Sequence, residues 1–243
     1  MLEPWRTGTV IKIEDASEST RRFWIQIPEL DSFNFKPGQF VTLDLPIHEK
    51  TNKRWRSYSI ASAPDGSNII ELVIVLLEGG LGTTYLFNEI NVGSNITLRG
   101  PVGVFTLPET LDKDLYLICT GTGIAPFRSM LLDIHQKKIP HQQMHLLFGC
   151  RKYTDSLYEQ ELKALETAEE HFFYHPSFSR ETEKREGANL GYVHATYKKL
   201  LEAGASKEAH FYICGWKNMV DEARATLTEL GIPKSQIHFE LYG

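Results

Sequence analysis

At 243 residues the chain has room for one large domain or two of ordinary size. Its 42% hydrophobic and 23% charged content is that of a globular protein with a real core, and a net charge of −5 argues against nonspecific nucleic-acid binding, which needs a basic surface. The three cysteines, Cys119, Cys150 and Cys214, form no CxxC pair. A disulfide framework is therefore not expected, a four-cysteine iron–sulfur cluster is excluded, and a cytoplasmic home is the default. The opening Met1-Leu2-Glu3-Pro4-Trp5-Arg6 lacks the apolar run of a signal peptide, and the longest apolar stretch, 69–77, is too short to span a bilayer.

The first hundred residues read as strands. Phe23, Ile25 and Ile27 share one face and Arg22, Trp24 and Gln26 the other, a period of two. Residues 9–13, 40–45, 56–61, 69–77 and 95–99 are further strand candidates, separated by turn signals such as Lys36-Pro37-Gly38 and Ala63-Pro64-Asp65-Gly66. The pattern predicts a small closed barrel carrying a short helix over 82–88. The composition changes near Gly100-Pro101-Val102-Gly103, and Leu107-Pro108-Glu109 reads as a linker, giving domains 1–108 and 109–243.

Beyond the linker, strands and helices alternate. Strands are expected over 114–119, 145–150, 172–174, 210–214 and 236–240. Phe127, Met130, Leu131 and Ile134 recur at helical spacing. Tyr158, Leu162 and Leu165 stripe a second helix, with Asp155 or Ser156 placed to cap it. Trp216, Val220, Ala223, Leu227 and Leu230 mark a third. Such alternation means a parallel sheet with helices on both sides.

Three motifs carry chemistry. Thr120-Gly121-Thr122-Gly123-Ile124-Ala125-Pro126 joins a strand to an amphipathic helix, where glycines admit a close ligand and a helix start favours a pyrophosphate. All three cysteines end apolar strands, and ligands of open parallel sheets bind beyond those carboxyl ends; Gly215, directly after Cys214, frees the backbone to admit a flat ring. In the first domain, Arg56-Ser57-Tyr58-Ser59 puts an arginine suited to phosphate and a tyrosine suited to an aromatic ring on one strand face.

In this order and at these spacings, Arg-x-Tyr-Ser, GTGIAP and the late Cys-Gly resemble the ferredoxin–NADP reductase family over nearly the whole chain. The resemblance implies a two-domain enzyme: an antiparallel β-barrel FAD-binding domain followed by an α/β Rossmann-like parallel-sheet NAD(P)-binding domain. It implies hydride exchange between nicotinamide C4 and flavin N5. Arg56 would hold the FAD pyrophosphate, with Gly82, Thr83 and Thr84 as its second contact. Tyr58 would pack on the isoalloxazine, and Ser59 would hydrogen-bond near N5. Thr120, Gly121 and Gly123 would bind the nicotinamide nucleotide, and Cys214 and Gly215 would border its ring. Phe239-Glu240-Leu241-Tyr242 resembles a plant-type ending, with Glu240 near the hydride-transfer site and Tyr242 stacked on the flavin, although Gly243 follows here. Ser179, Arg180 and Tyr192 resemble a site for the 2′-phosphate of NADP(H), helped by Lys184 and Arg185; NAD(H) is the other candidate. Ser59, Cys214 and Glu240 are thus the expected catalytic residues, and no metal is expected. The partner implied is a small electron carrier, ferredoxin or flavodoxin, steered by the basic segment Lys50 to Arg56. An NADH-dependent oxygenase reductase component and a flavin-binding regulatory subunit are the alternatives.

Overall fold

The computed structural model describes residues 3–242, so Gly243 lies outside the described residues. Two compact units are present: residues 3–106 with 125–133, and residues 107–124 with 134–242.

The first unit holds β1 (Trp5–Ser17), β2 (Thr20–Gln26), β3 (Phe40–Asp44), β4 (Trp55–Ser59), β5 (Ile69–Val75), helix α1 (Leu81–Asn88) and β6 (Asn95–Val102). The strands pair antiparallel in the order β4-β3-β6-β1-β2-β5. The outer strands then meet. Ile60, just past β4, bridges to Leu72 of β5, and the Ala61 amide donates to the Glu71 carbonyl at 2.8 Å, which closes the barrel. The period of two in the sequence becomes an inside and an outside: Phe23, Ile25, Val41, Leu43, Ile70, Leu72, Ile96 and Leu98 fill the core.

Glu71, Arg128 and Asp133 are charged positions buried in this unit. Glu71, only 2% exposed, accepts from Arg22 Nε at 2.7 Å and from Arg128 at 2.9 Å. Arg128 comes from the first turns of α2 (Ala125–Lys137), is itself buried, and also donates to the Ala61 carbonyl at 2.8 Å. Beside it the Ser129 hydroxyl donates to the Ser62 carbonyl at 2.6 Å. Ionised groups are kept inside a fold only when paired in this way.

The second unit holds β7 (Asp114–Thr120), β8 (Met144–Cys150), α3 (Glu159–Ala168), β9 (Phe172–Phe178), β10 (Asn189–Leu190), α4 (Val193–Glu202), β11 (Ala209–Trp216), α5 (Lys217–Glu229) and β12 (Ile237–Tyr242). All strands are parallel, in the order β10-β9-β8-β7-β11-β12. The chain moves from β7 outward through β8 and β9, returns to β11 on the other side of β7, and continues outward to β12. Right-handed crossovers therefore put α3 and α5 on opposite faces. The order reverses between β7 and β11, and the ends of those two strands form the topological switch point.

Two local expectations need correction. Neither Asp155 nor Ser156 caps α3. A 3-10 turn, Tyr153–Asp155, precedes it, and Tyr158, with φ of 57°, sits at the cap position in the left-handed region. The α5 stripe is shorter than the sequence pattern: Val220, Ala223 and Leu227 are fully buried, but Trp216 is 41% exposed at the cap and Leu230 lies beyond the helix. Helix α4 is an addition, its buried Val193, Tyr197 and Leu201 spaced by four.

On one sheet face Phe211, Tyr116, His145 and Phe173 stack in a row with centroid spacings of 4.7, 4.9 and 5.0 Å, and His145 Nδ1 lies 3.2 Å from His175 Nε2. Burial pushes both imidazoles down to about 4. The unfolded chain takes up these protons near pH 6.5, while the folded chain resists until about 4. Their contribution is therefore intact above pH 6.5 and is lost as pH falls towards 4, by roughly 2–5 kcal/mol for the pair. Melting temperature is expected to drop across that window, and His145→Phe to flatten the drop; equal slopes in parent and variant would contradict it.

Candidate functional site

In the barrel, the alternation of β4 puts Arg56 and Tyr58 on the core side, opposite Leu43 and Val41. The Arg56 guanidinium donates to the carbonyls of Lys53 and Trp55 at 3.0 and 2.7 Å, so its stem is fixed. That stem runs against the start of α1: a Cβ on Gly82 would lie 2.9 Å from Arg56 Cγ. Helix α1 has no side-chain cap at Gly80, which leaves its first amides beside a cation. An arginine and uncapped amides together suit a pyrophosphate. The Thr83 hydroxyl is already committed: it accepts from the Leu77 amide at 3.1 Å and donates to the Gly80 carbonyl at 3.1 Å, bracing the loop. Thr84 is exposed. Tyr58 packs against the barrel core, and burial raises its phenol to about 12 against the pull of Arg56. Ser59 is 4% exposed and pairs with Phe40.

In the second unit the expected residues gather at the carboxyl ends of the strands. Thr120 ends β7, and its buried Oγ1 has no hydrogen-bond partner among the described residues. Gly121 follows with φ of 53°, and a Cβ there would meet nothing within 4 Å, so one side of the turn is open. Gly123 is the opposite case: its Cβ would lie 2.3 Å from the Cys214 carbonyl oxygen, so only glycine lets the turn lie against β11. Gly215, with φ of 152°, has its Cβ direction filled by Thr120 Oγ1 and Met219 Cε, each at 2.7 Å. The expectation that Gly215 opens room for a ring is corrected: glycine is needed there for backbone conformation and for the approach of Thr120 and Met219.

Cys214 is fully buried beside Glu240, its register partner on β12. Burial first, then Glu240 and Cys119, push its thiol well above the usual range, while a hydrogen bond from Tyr242 works the other way. A thiol shifted in this direction holds its proton and is a poor nucleophile. Burial likewise raises the half-buried Cys150 to about 12.

The remaining residues lie at the far side of the same sheet edge. The Ser179 and Arg180 amides donate to the Cys150 and Arg151 carbonyls at 3.0 and 2.8 Å, which ties the end of β9 to the end of β8. Arg180 is exposed, and Tyr192, at the start of α4, is 74% exposed. Arg185 stacks on Tyr153 at 3.8 Å, and Glu181 accepts from the Tyr153 amide at 2.9 Å. Tyr153, which the sequence gives no reason to single out, thus organises this loop.

Oxidoreductase FAD-binding and NAD-binding domain families match residues 7–107 and 117–225, respectively. Ferredoxin–NADP reductase B of Sorangium cellulosum is 34% identical over 246 residues, covering 99% of this chain and 98% of that protein. The chain belongs to the ferredoxin–NADP reductase family. It is an oxidoreductase with an FAD-binding and an NAD-binding domain. The anthranilate 1,2-dioxygenase electron transfer component of Acinetobacter baylyi is 29% identical over 99% of this chain and 68% of its own length. Among solved structures, a ferredoxin NADP+ reductase from Neisseria gonorrhoeae with bound FAD and NADP superposes with a TM-score of 0.81 at 27% identity, covering 98% of both chains. The Amycolatopsis cytochrome P450 reductase GcoB, at 24% identity and a TM-score of 0.85 over 98% of this chain and 70% of its own, shares the fold. No helix among the described residues is long and apolar enough to cross a membrane.

The residues present fit both groups that this family implies. Arg56 against the uncapped start of α1 suits the FAD pyrophosphate. The partnerless Thr120 hydroxyl and the open side of Gly121 suit a nucleotide at the switch point.

Proposed function

We propose that this reductase works on NADP(H), exchanges electrons with a small one-electron carrier such as ferredoxin or flavodoxin, and does so in the cytoplasm. FAD, when bound, supplies the chemistry of exchanging hydride with a nicotinamide and releasing or collecting electrons singly. The chain's residues bind, orient and exclude water. Arg56 and the first amides of α1, including those of Gly82 and Thr83, hold the FAD pyrophosphate, with Thr84 beside them. Tyr58 covers the isoalloxazine and Ser59 hydrogen-bonds near N5. Thr120, Gly121 and Gly123 seat the nicotinamide nucleotide. Cys214 and Gly215 wall its ring, Glu240 lies near the hydride-transfer site, and Tyr242 stacks on the flavin. The domain boundary is taken at 108/109.

Arg56→Ala is expected to weaken FAD retention, since a charge-assisted phosphate contact is lost. Flavin-to-protein stoichiometry after gel filtration reads this directly, and full stoichiometry with unchanged affinity would contradict the assignment.

The choice of NADP(H) rests on one observation: Arg180 and Tyr192 stand exposed beside Ser179 at the carboxyl end of β9, two strands from the switch-point strand β7. At ~4.8 Å per strand this is ~10 Å, a span suited to the adenosine half of a dinucleotide. An arginine there favours a 2′-phosphate over a bare ribose. Arg180→Ala should raise KM for NADPH by about tenfold to a hundredfold and leave KM for NADH nearly unchanged, as for a lost hydrogen bond to a charged group worth about 1.5–3 kcal/mol. Equal effects on both nucleotides would mean that Arg180 is structural or touches something they share; a second reading, an NADH-dependent oxygenase component, is supported by relatives such as the anthranilate dioxygenase component.

A further inference from the structure

The loop that follows β9 has no net charge with which to attract a phosphate. Arg180, Lys184 and Arg185 are matched there by Glu181, Glu183 and Glu186. Coulomb attraction depends on distance, so an anion responds to which of these side chains the loop turns towards it, not to their sum. The residue that sets the conformation of the loop therefore sets its selectivity. The sequence offers no candidate for that residue, and the structure does.

Tyr153 opens the 3-10 turn beyond β8, and that turn is closed twice. The Asp155 amide donates to the Lys152 carbonyl at 3.0 Å, and the Asp155 carboxylate accepts from the Lys152 amide at 3.3 Å. The Tyr153 ring packs on Phe178, the buried last residue of β9, with centroids 4.3 Å apart. From this fixed base the tyrosine reaches the loop at three places. Its hydroxyl donates to the Glu183 carbonyl at 2.7 Å and accepts from the Arg185 amide at 3.1 Å. Its amide donates to the Glu181 carboxylate at 2.9 Å. Its ring carries the Arg185 guanidinium 3.8 Å from the centroid.

These contacts sort the charges of the loop. The Glu181 carboxylate, next in sequence to Arg180, is tied to a backbone amide. Arg185 is held at both its amide and its guanidinium, so it has less freedom to lose when it meets a ligand. A guanidinium stacked on an aromatic face keeps its edge N–H groups for a planar or tetrahedral anion. Arg180 and Arg185 are both exposed.

From this geometry we propose that Tyr153 is a positioning residue for nucleotide choice. It holds residues 181–185 in the arrangement that draws Glu181 inward and leaves Arg180 and Arg185 for a 2′-phosphate, while touching no part of the nucleotide itself. The inference rests on the NADP(H) reading above and deepens it, because the bare ribose of NADH makes no use of these cations.

The test uses the whole FAD-loaded chain as parent, Tyr153→Leu, Tyr153→Phe and Arg180→Ala, with ferricyanide as acceptor and NADPH or NADH as donor. Tyr153→Leu removes the ring stack and both hydroxyl bonds. It should raise KM for NADPH by about tenfold, with kcat nearly unchanged and KM for NADH unmoved. Tyr153→Phe keeps the ring on Phe178 and under Arg185 and loses only the two hydroxyl bonds, so it should fall between Tyr153→Leu and the parent. Calorimetry with adenosine 2′,5′-bisphosphate should give the same order of affinities without any turnover, and 5′-AMP should bind all four proteins alike. A purely structural role would instead raise KM for both nucleotides together. Equal effects on NADPH and NADH in the Tyr153 variants, or no effect on either, would overturn the proposal. If Arg180→Ala keeps its selective effect on NADPH in that case, the failure is confined to Tyr153 and the NADP(H) reading stands. If Arg180→Ala is unselective as well, the NADP(H) reading falls with the proposal.

Discussion

Glu71→Ala should destabilise the first unit by about 3–5 kcal/mol, the usual result of removing one member of a buried ion pair. Glu71 and Arg128 are 2% and 6% exposed, and the alanine takes the Glu71 carboxylate away from the Arg128 charge in a place water hardly reaches. Arg22 loses a partner too, but its side chain is 24% exposed and it keeps Glu14 at 3.4 Å, so it contributes less. The sign can be separated from mere loss of volume. Glu71→Leu should be worse than the pair Glu71→Leu/Arg128→Leu, because the double change removes the buried guanidinium charge as well. Chemical unfolding of the three proteins reads the order directly. A double variant less stable than Glu71→Leu by the full cost of Arg128→Leu would mean that the two side chains act independently.

Gly123→Ala is the second large effect. The added methyl would stand 2.3 Å from the Cys214 carbonyl oxygen and 2.8 Å from its carbon, both backbone atoms in the middle of a parallel sheet. Neither can swing aside, so the turn 121–124 must lift away from β11. Overpacking of this kind costs about 1–3 kcal/mol. The functional loss should exceed the loss of stability, because the turn amides and Thr120 move with it, and a displacement near 1 Å can cost about a hundredfold in rate. Gly231→Ala is the control, at a position with no assigned role. It has nothing within 4 Å of its Cβ, and its φ of 85° costs a non-glycine residue about 1–2 kcal/mol. Expected is a rise of at least tenfold in KM for the nucleotide in Gly123→Ala, with FAD content unchanged and a much smaller effect in Gly231→Ala. Equal effects from the two substitutions would refute the packing argument.

Much of this arrangement is legible in the chain because the signals are local. The alternation around Phe23, Ile25 and Ile27 makes a half-buried strand wherever it is placed, and the GTGIAP turn followed by Phe127, Met130 and Leu131 can hardly be other than a strand-to-helix turn. What escapes is set by distant partners. Barrel closure depends on Ile60 meeting Leu72, a matter of register between strands that pair through others. Glu71 reads as an interruption of an apolar run until Arg128 is brought to it. Helix α4 is hidden by His194, Ala195 and Thr196, a mixed stretch after an exposed loop, although Val193, Tyr197 and Leu201 carry the spacing. The α3 cap fails because the Asp155 carboxylate turns back to accept from the Lys152 amide at 3.3 Å, closing the 3-10 turn instead. At Gly215 the residue type is right and the sequence-level reason is not: what demands glycine is the crowding of Thr120 and Met219.

As a reductase with an FAD-binding and an NAD-binding domain, the protein should pass hydride from a nicotinamide nucleotide to its flavin. Anaerobic mixing of the FAD-loaded protein with NADPH in a stopped-flow instrument, in parallel with NADH, tests it most directly. The yellow flavin absorbance should bleach rapidly, with NADPH effective at lower concentration than NADH. A protein that retains FAD yet stays yellow with both nucleotides would contradict the account.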